Sequence, residues 1–388
     1  MRSVQPKKPN QAPAPARTPS PQKMRVLVTG GAGYVGCRLV PALLADGHEV
    51  VVYDTFWFGD HLPTAWSAGG VQRLWRVQDD IRNVERFSRA LVEFGKCDAV
   101  IHLACLSNDP SSEIDAELTK EINLDAFEPL VVAAKEAGVR RFIYCSTSSV
   151  YGVSDAPDVR EDHSHVPLTL YNTYKSQCEP LLMKHRSPGF ECVVLRPSTV
   201  CGYSPRQRLD LAVNILTNLA YNKGVITVHG GQQLRPNLHI ADMVDCYRVL
   251  LAAPAEKVDG GTFNVGAGNI SIADLAVMVK REVERLTGRT IQIETKPIHD
   301  ERSYQVNSDR IKQTLGFVPK RTVEDAIIEL CAAFANGNLP DPLEREEYYN
   351  VKTMKKVFVD LYKDAPPSAF KPEEGILSEQ DLLRGAGQ

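Results

Sequence analysis

Tyr171-Asn172-Thr173-Tyr174-Lys175 sets a phenol and an amine four residues apart. On a helix they share one face and reach a common ligand. A free phenol titrates at roughly 10 and is a poor base at neutral pH. An ammonium held beside it stabilises the phenolate and lowers that value. Such a pair can take a proton from an alcohol or sugar hydroxyl as a hydride leaves the same carbon. The spacing alone is common in helices; its weight here comes from two other segments. Cys145-Ser146-Thr147-Ser148-Ser149-Val150-Tyr151-Gly152 begins as a strand and ends as a hydroxyl-rich loop. In a parallel sheet the carboxyl ends of strands face the ligand crevice, so these hydroxyls could meet a substrate oxygen. The alternative is a polar turn bonded within itself.

The other segment is Val26-Leu27-Val28-Thr29-Gly30-Gly31-Ala32-Gly33-Tyr34-Val35-Gly36. It satisfies G-x-G-x-x-G from Gly31 and G-x-x-G-x-x-G from Gly30, after a strand-like run and before a helix-like one. Glycines there let backbone N–H groups approach a diphosphate, and the helix N-terminus adds partial positive charge. The second strand-like run ends at Tyr53-Asp54, where a carboxylate accepts from adenosine ribose hydroxyls and repels a 2′-phosphate. NAD is therefore preferred to NADP. Asp80-Ile81 follows a third strand-like run; Asp80 reads either as an adenine contact or as a loop aspartate.

These residues need a scaffold. Strand-like Arg25 to Thr29, Glu49 to Tyr53, Ala99 to Leu103, Phe142 to Ser146 and Cys192 to Leu195 alternate with helical patterns at Val35 to Ala45 and Glu117 to Ala137. That alternation predicts an α/β fold, a doubly wound parallel sheet covered on both faces. After about residue 200 the pattern loosens into Leu211 to Lys223, Val225 to His229, Leu238 to Ile240 and Ile272 to Thr287, a smaller mixed α/β C-terminal lobe for substrate. Expected boundaries are a disordered proline-rich leader at 1–23, a nucleotide domain at 24–200 with 236–266 returning to it, a substrate lobe at 201–235 and 267–340, and a C-terminal appendage at 341–388.

Composition narrows the function. The chain has 388 residues, 43% hydrophobic and 24% charged, with 45 basic against 48 acidic side chains and a net charge of −3. That argues against nucleic-acid binding by broad electrostatic attraction. No apolar run reaches the roughly 18 residues of a membrane span. Nine scattered cysteines without C-x-x-C fit reduced thiols in a cytoplasmic protein rather than zinc ligands or a disulfide scaffold. His163 and His165 lack a third ligand nearby, so no metal is expected. Phe56-Trp57-Phe58 reads as a packed loop that could flank the cofactor entrance.

Taken together, the chain resembles the extended short-chain dehydrogenase/reductase superfamily, in its NAD-dependent nucleotide-sugar epimerase/dehydratase branch. The resemblance spans roughly Met24 to Leu330. It rests on Thr29 to Gly36, Tyr53-Asp54, Asp80-Ile81, Ile101 to Ala104, Asn123, Ser146 to Gly152, Tyr171 to Lys175 and Leu195 to Pro197. It implies a Rossmann-type nucleotide domain. It implies Thr147 as the catalytic hydroxyl, Tyr171 as the base and Lys175 as the ribose-binding lysine. Gly30, Gly33, Tyr34, Val35, Asp54, Asp80, Ile81, Leu103 and Ala104 would line the NAD site with Tyr171 and Lys175. Ser148 and Ser149 would face the substrate, a nucleotide-diphosphate sugar whose phosphates would meet Arg235 and Arg302. A homodimer through helices near 117–137 and 171–184 is also implied.

Two departures matter. Relatives that dehydrate follow the threonine with Asp-Glu; Ser148 and Ser149 stand there instead. Thr199 takes a place where many relatives carry an asparagine. The reaction left is epimerisation, most simply at C4 through a transient 4-keto sugar with NAD retained. The alternatives are a ketoreductase or dehydrogenase with exchangeable cofactor, and a catalytically silent dinucleotide-binding scaffold.

Overall fold

Val26, Leu27, Val28 and Thr29 are all 0% exposed. A strand buried on both faces reads as a continuous apolar run, and such strands form parallel sheets roofed by helices. The structure, a computed structural model, describes residues 23–64, 67–68, 71–154, 156–297 and 305–362. Residues 1–22 of the expected leader, Arg302 and residues 363–388 lie outside the described residues.

The strands are β1 (Arg25–Thr29), β2 (Glu49–Asp54), β3 (Leu74–Gln78), β4 (Ala99–His102), β5 (Arg141–Cys145), β6 (Glu191–Pro197), β7 (Thr199–Cys201), β8 (Val225–His229), β9 (Leu234–His239), β10 (Thr262–Val265), β11 (Gly268–Ser271) and β12 (Gln292–Lys296). Seven make one sheet in the order β10-β6-β5-β4-β1-β2-β3, with every pair parallel. The chain runs β1 to β3 in one direction, then returns to the other side of β1 with β4. The order reverses between β1 and β4, and a crevice opens at the carboxyl ends there.

The main helices are α1 (Gly36–Ala45), α2 (Val84–Glu93), α3 (Phe127–Glu136), α4 (Leu170–Met183), α5 (Ala212–Lys223), α6 (Ile240–Ala252), α7 (Ile272–Thr287), α8 (Val323–Ala335) and α9 (Asn350–Tyr362). α1 and α6 bury one sheet face, through Leu39, Val40, Leu43, Met243, Cys246 and Leu250. α2, α3 and α4 bury the other, through Phe87, Leu91, Phe127, Leu130, Cys178 and Leu182. The second lobe packs α5, α7 and α8 around its own core of Val213, Leu216, Leu275, Val279 and Ile327. β9 joins it to the large domain, pairing antiparallel with β11 and parallel with β7.

Three departures from the sequence expectation bear on the site. The helix expected over 117–137 is interrupted: Ala116–Lys120 is α-helical, Glu121–Asp125 is a π turn, and α3 follows. The widened turn faces Asn123 inward, where its Oδ1 accepts from Leu106 N (2.8 Å) and its Nδ2 donates to Leu106 O (3.0 Å). Residues 238–240 are not one strand: β9 ends at His239, whose ring accepts from Ala241 N, and Ile240 opens α6. Finally, residues 341–362 are built against the core. Tyr348 and Tyr349 pack beside Leu209 and Leu330, while Met354 and Phe358 return to the large domain. All nine cysteines are free thiols. Among the described residues, no helix is long and apolar enough to cross a membrane.

Candidate active site

β1 ends in the glycine turn, and the turn's shape follows from what its glycines touch. Gly30 has φ +69°, donates to Tyr53 O (2.9 Å), and would put a Cβ 2.7 Å from Ala104 N. Gly36 would put one 2.4 Å from Gly31 O. Gly33 differs: a Cβ there meets only Gly30 O, at 3.1 Å, and the residue lines the cavity at the crevice. Gly30 and Gly36 thus shape the turn, while Gly33 leaves room for a guest. Tyr34 and Val35 lead into α1, whose Cys37 and Leu39 amides bond back to Gly33 O and Val35 O (2.9 Å each). The Tyr34 phenol turns away, donating to Gly202 O (2.7 Å) and accepting from Asn214 (3.1 Å). The backbone of this turn, and not the Tyr34 side chain, is therefore what would face a diphosphate. Gly33→Val should change the stability of the cofactor-free protein by less than about 1 kcal/mol. It should weaken NAD binding by about tenfold or more. Thermal unfolding and NAD titration measure the two separately.

At the end of β2, Asp54 accepts from Ala32 N (2.9 Å) and Phe56 N (2.8 Å), which fixes its carboxylate at the turn. Burial raises its pKa, and the two backbone donors and Arg206 oppose the shift. Asp80 also lines the cavity, but its side chain is held by Arg82 through Nε (3.1 Å) and Nη2 (3.0 Å). Ile81, Leu103 and Ala104 complete that wall. Leu103 N donates to Thr29 O (3.0 Å), and Thr29 Oγ1 bonds the His102 ring (2.9 Å).

His102 is 3% exposed, and burial, with Lys175 nearby, pushes it down to about 3 from 6.5. Below about 6.5 the unfolded ring takes a proton that the folded ring refuses, so the unfolded state binds more protons. Stability should fall with decreasing pH in the window from 6.5 to about 3, by up to about 1.4 kcal/mol per unit. His48 and His165, also lowered by burial, act in the same sense. Urea unfolding across that window should show the slope, and His102→Gln should reduce it.

α4 brings the phenol and amine to the same cavity. Thr169 caps the helix by accepting from Asn172 N. Lys175 is 2% exposed, donates to Cys145 O (2.7 Å), and lies 5.0 Å from the Tyr144 ring centroid and 5.8 Å from that of Tyr171. The expected lowering of the phenol is not what dominates. Burial holds Tyr171 well above the usual value, reinforced by Cys105, Cys145 and Asp109 and opposed by Arg208. The ammonium faces the ring from a site anchored on the β5 carbonyl. Thr147 follows β5, is buried, and joins its hydroxyl to Ser149 Oγ (3.1 Å) and Ser149 N (3.1 Å).

Thr147, Ser149, Tyr171 and Lys175 line the same cavity as the glycine turn and Asp54. Ser148 is buried in the following 3-10 turn and does not line it. Arg235 lies within β9, 1% exposed and away from the cavity lining. Thr199 does line it, with a buried Oγ1 that has no partner among the described residues. Among the described residues no cluster of His, Cys, Asp or Glu could hold a metal. His163 and His165 bond separate serines, Ser154 and Ser176.

The geometry thus joins a dinucleotide cradle to a phenol, an amine and a hydroxyl. Residues 26–266 match the NAD dependent epimerase/dehydratase family. The chain belongs to this family. It is 28% identical over 313 residues to a dTDP-D-glucose 4,6-dehydratase of Mus musculus, covering 78% of this chain and 86% of the relative. It is 27% identical over 325 residues to a UDP-glucose 4-epimerase of Azospirillum brasilense, covering 78% and 90%. The Thermus thermophilus UDP-glucose 4-epimerase in complex with NAD superposes with a TM-score of 0.68 at 25% identity, over 80% of this chain and 99% of that one. The extended short-chain dehydrogenase/reductase reading is correct, and the family's cofactor is NAD. The open face at Gly33, the fixed Asp54 carboxylate and the unpartnered Thr199 hydroxyl all fit a large polar guest.

This epimerase/dehydratase-family protein also has cavity residues that the sequence reading passed over. Ser107 and Asn108 follow β4, Arg206 and Arg208 follow β7, and Asn350 and Met354 come from α9. Trp57 and Phe58, from the aromatic loop already singled out in the sequence, line the cavity too. The paired arginines in Ser204-Pro205-Arg206-Gln207-Arg208, just after a strand, were a visible signal. Asn350 had no local signal.

Proposed function

We propose that the protein is an NAD-dependent nucleotide-sugar epimerase, acting most simply at C4 through a transient 4-keto sugar while the cofactor stays bound. The observation that carries this is the meeting of Thr147, Tyr171 and Lys175 with the glycine turn in one cavity. Tyr171 takes the C4 hydroxyl proton and returns it after the sugar turns over. Thr147 donates to the same oxygen, and Lys175, fixed on Cys145 O, holds the nicotinamide ribose and offers positive charge to the phenolate. The chemistry that NAD would supply in this site is reversible hydride exchange with C4. Ser149 and Thr199 contact the sugar side and Arg302 serves the substrate diphosphate, whereas Arg235, buried in β9 outside the cavity lining, is not given that role.

Dehydration is disfavoured by the carboxylates. Among the described residues, those lining the cavity are Asp54, Asp79 and Asp80, at the end of β2 and in the loop after β3. None comes from the loop after β5, where Ser148 and Ser149 stand. Elimination of water needs an acid beside the sugar, and the hydroxyls there are too weak.

The test is incubation with UDP-, dTDP-, GDP- and CDP-sugars without added cofactor. The expected result is C4-inverted sugar with no net change in reduced nicotinamide. A product lacking water, or turnover only with added NAD(P)H, would replace this reading with a dehydratase or ketoreductase. A cytoplasmic homodimer pairing through the helices of 117–137 and 171–184 belongs to the same proposal, and light scattering tests the stoichiometry.

A further inference from the structure

The loop Gly202 to Asp210 lies across the dinucleotide turn. Tyr34 donates to Gly202 O (2.7 Å), and Ser204 Oγ donates to Tyr34 O (2.7 Å). The loop carries two arginines into the cavity, Arg206 at 3% exposure and Arg208 at 8%. They are not equivalent. Arg208 pairs with Asp210 at 2.9 Å. Arg206 has no carboxylate partner among the described residues. Its Cζ lies 3.8 Å from the Phe58 ring centroid, its Nη2 donates to Asn350 Oδ1 (2.6 Å), and its Nε is buried without a partner. A buried guanidinium lacking a counter-charge is costly, and burial with Arg208 beside it lowers Arg206 to about 10.

Asn350 explains how this cation stays in place. Its N–H donates to Asp210 (3.0 Å), its side-chain amide donates to Ser107 Oγ (3.0 Å), and its oxygen takes Arg206. It opens α9, whose Met354 also lines the cavity and whose Phe358 is 0% exposed in the core that Phe58 packs against. The C-terminal helix and the loop after β7 therefore converge on one positive charge.

We propose that Arg206, held by Asn350, is a further anion-binding residue that neutralises the diphosphate of the bound dinucleotide, with α9 closing the cofactor site from the C-terminal end. A guanidinium pairs with phosphate oxygens through two donors at once. The sugar substrate carries the same diphosphate chemistry. The cofactor is assigned because the loop that carries Arg206 is bonded to Tyr34 of the glycine turn on both sides (2.7 Å each), and the guanidinium stacks on Phe58 in the loop that follows Asp54. The inference rests on the family's use of NAD and not on which sugar is epimerised.

The experiment uses the full chain with Arg206→Met and Asn350→Ala. Three quantities are read: melting of the cofactor-free protein, dissociation of NAD without any sugar, and KM for the sugar nucleotide at saturating NAD. For Arg206→Met, removal of an unpaired buried cation should leave the cofactor-free melting temperature equal or higher, while NAD leaves about ten- to a hundredfold faster. KM for the sugar should be unchanged. Asn350→Ala keeps the charge and frees it, so NAD should leave faster than from wild type but more slowly than from Arg206→Met. Unchanged NAD dissociation in Arg206→Met overturns the proposal. So does a raised sugar KM with normal NAD retention, which assigns the charge to the substrate. A lowered melting temperature or failure to fold makes Arg206 a structural residue and equally overturns it. The melting and NAD-dissociation outcomes do not depend on epimerase activity, so failure there and failure of the epimerase reading are separate results.

Discussion

Tyr171→Phe is expected to reduce turnover by about a thousandfold, within the range for loss of a positioned acid–base group, and to leave NAD binding near wild type. Among the described residues, the phenol is the group lining the cavity beside Lys175 and Thr147 that can both take and return a proton. Phenylalanine keeps the ring that the Lys175 ammonium faces from 5.8 Å. α4 and its Thr169 cap are untouched, so the fold should survive. Because burial raises Tyr171 in the free protein, the phenol is protonated there at neutral pH. The rate should therefore climb with pH on the alkaline side in wild type, and the residual rate of the variant should not. Kinetics as a function of pH, with bound nicotinamide measured in the same preparations, checks both statements. Turnover within a factor of about three of wild type would remove Tyr171 from the base role.

How far the sequence foretold this site follows from how local each signal is. The glycine turn, Asp54 and the Tyr171/Lys175 pair each occupy a few consecutive residues whose spacing has one mechanical meaning, and they meet in the structure. Positions set by distant partners were not legible. Asn123 interrupts a helix whose apolar periodicity gave no warning, because the cause is a pair of hydrogen bonds to Leu106, seventeen residues away. Leu234–His239 is a strand only because β7 and β11 flank it. Arg206 and Asn350 are separated by 144 residues, and only the packing of α9 against the large domain brings them together. The sign of the Tyr171 shift was missed for a related reason: spacing reveals the lysine, but burial is a property of the assembled cavity.

The second large effect is expected from a residue outside the cavity lining. Glu179→Ala should destabilise the protein by about 3–5 kcal/mol, the cost of breaking one side of a buried ion pair. Glu179 and Arg196 have side chains 7% and 5% exposed. Arg196 donates to the carboxylate through Nε (2.9 Å) and Nη2 (2.5 Å). The same carboxylate accepts from Ser146 Oγ (2.6 Å), the residue before Thr147. On its other side Arg196 donates to Tyr151 OH (2.7 Å) and Glu161 O (2.9 Å), and Tyr151 passes the chain on to Asn264 (2.7 Å). One pair therefore fastens α4, which carries Tyr171 and Lys175, to β6, β10 and both ends of the Thr147 loop. Alanine would leave a guanidinium uncompensated in the core and free the loop from the helix. Glu179→Leu combined with Arg196→Met should be less destabilised than either single change, because no lone charge remains. If stability comes from the pair, chemical denaturation of the four proteins will show that coupling. If the network also positions the site, the double variant, though folded, will keep NAD and lose turnover. A double variant with full activity would confine Glu179 and Arg196 to holding the fold, and additive single effects would dismiss the pair altogether.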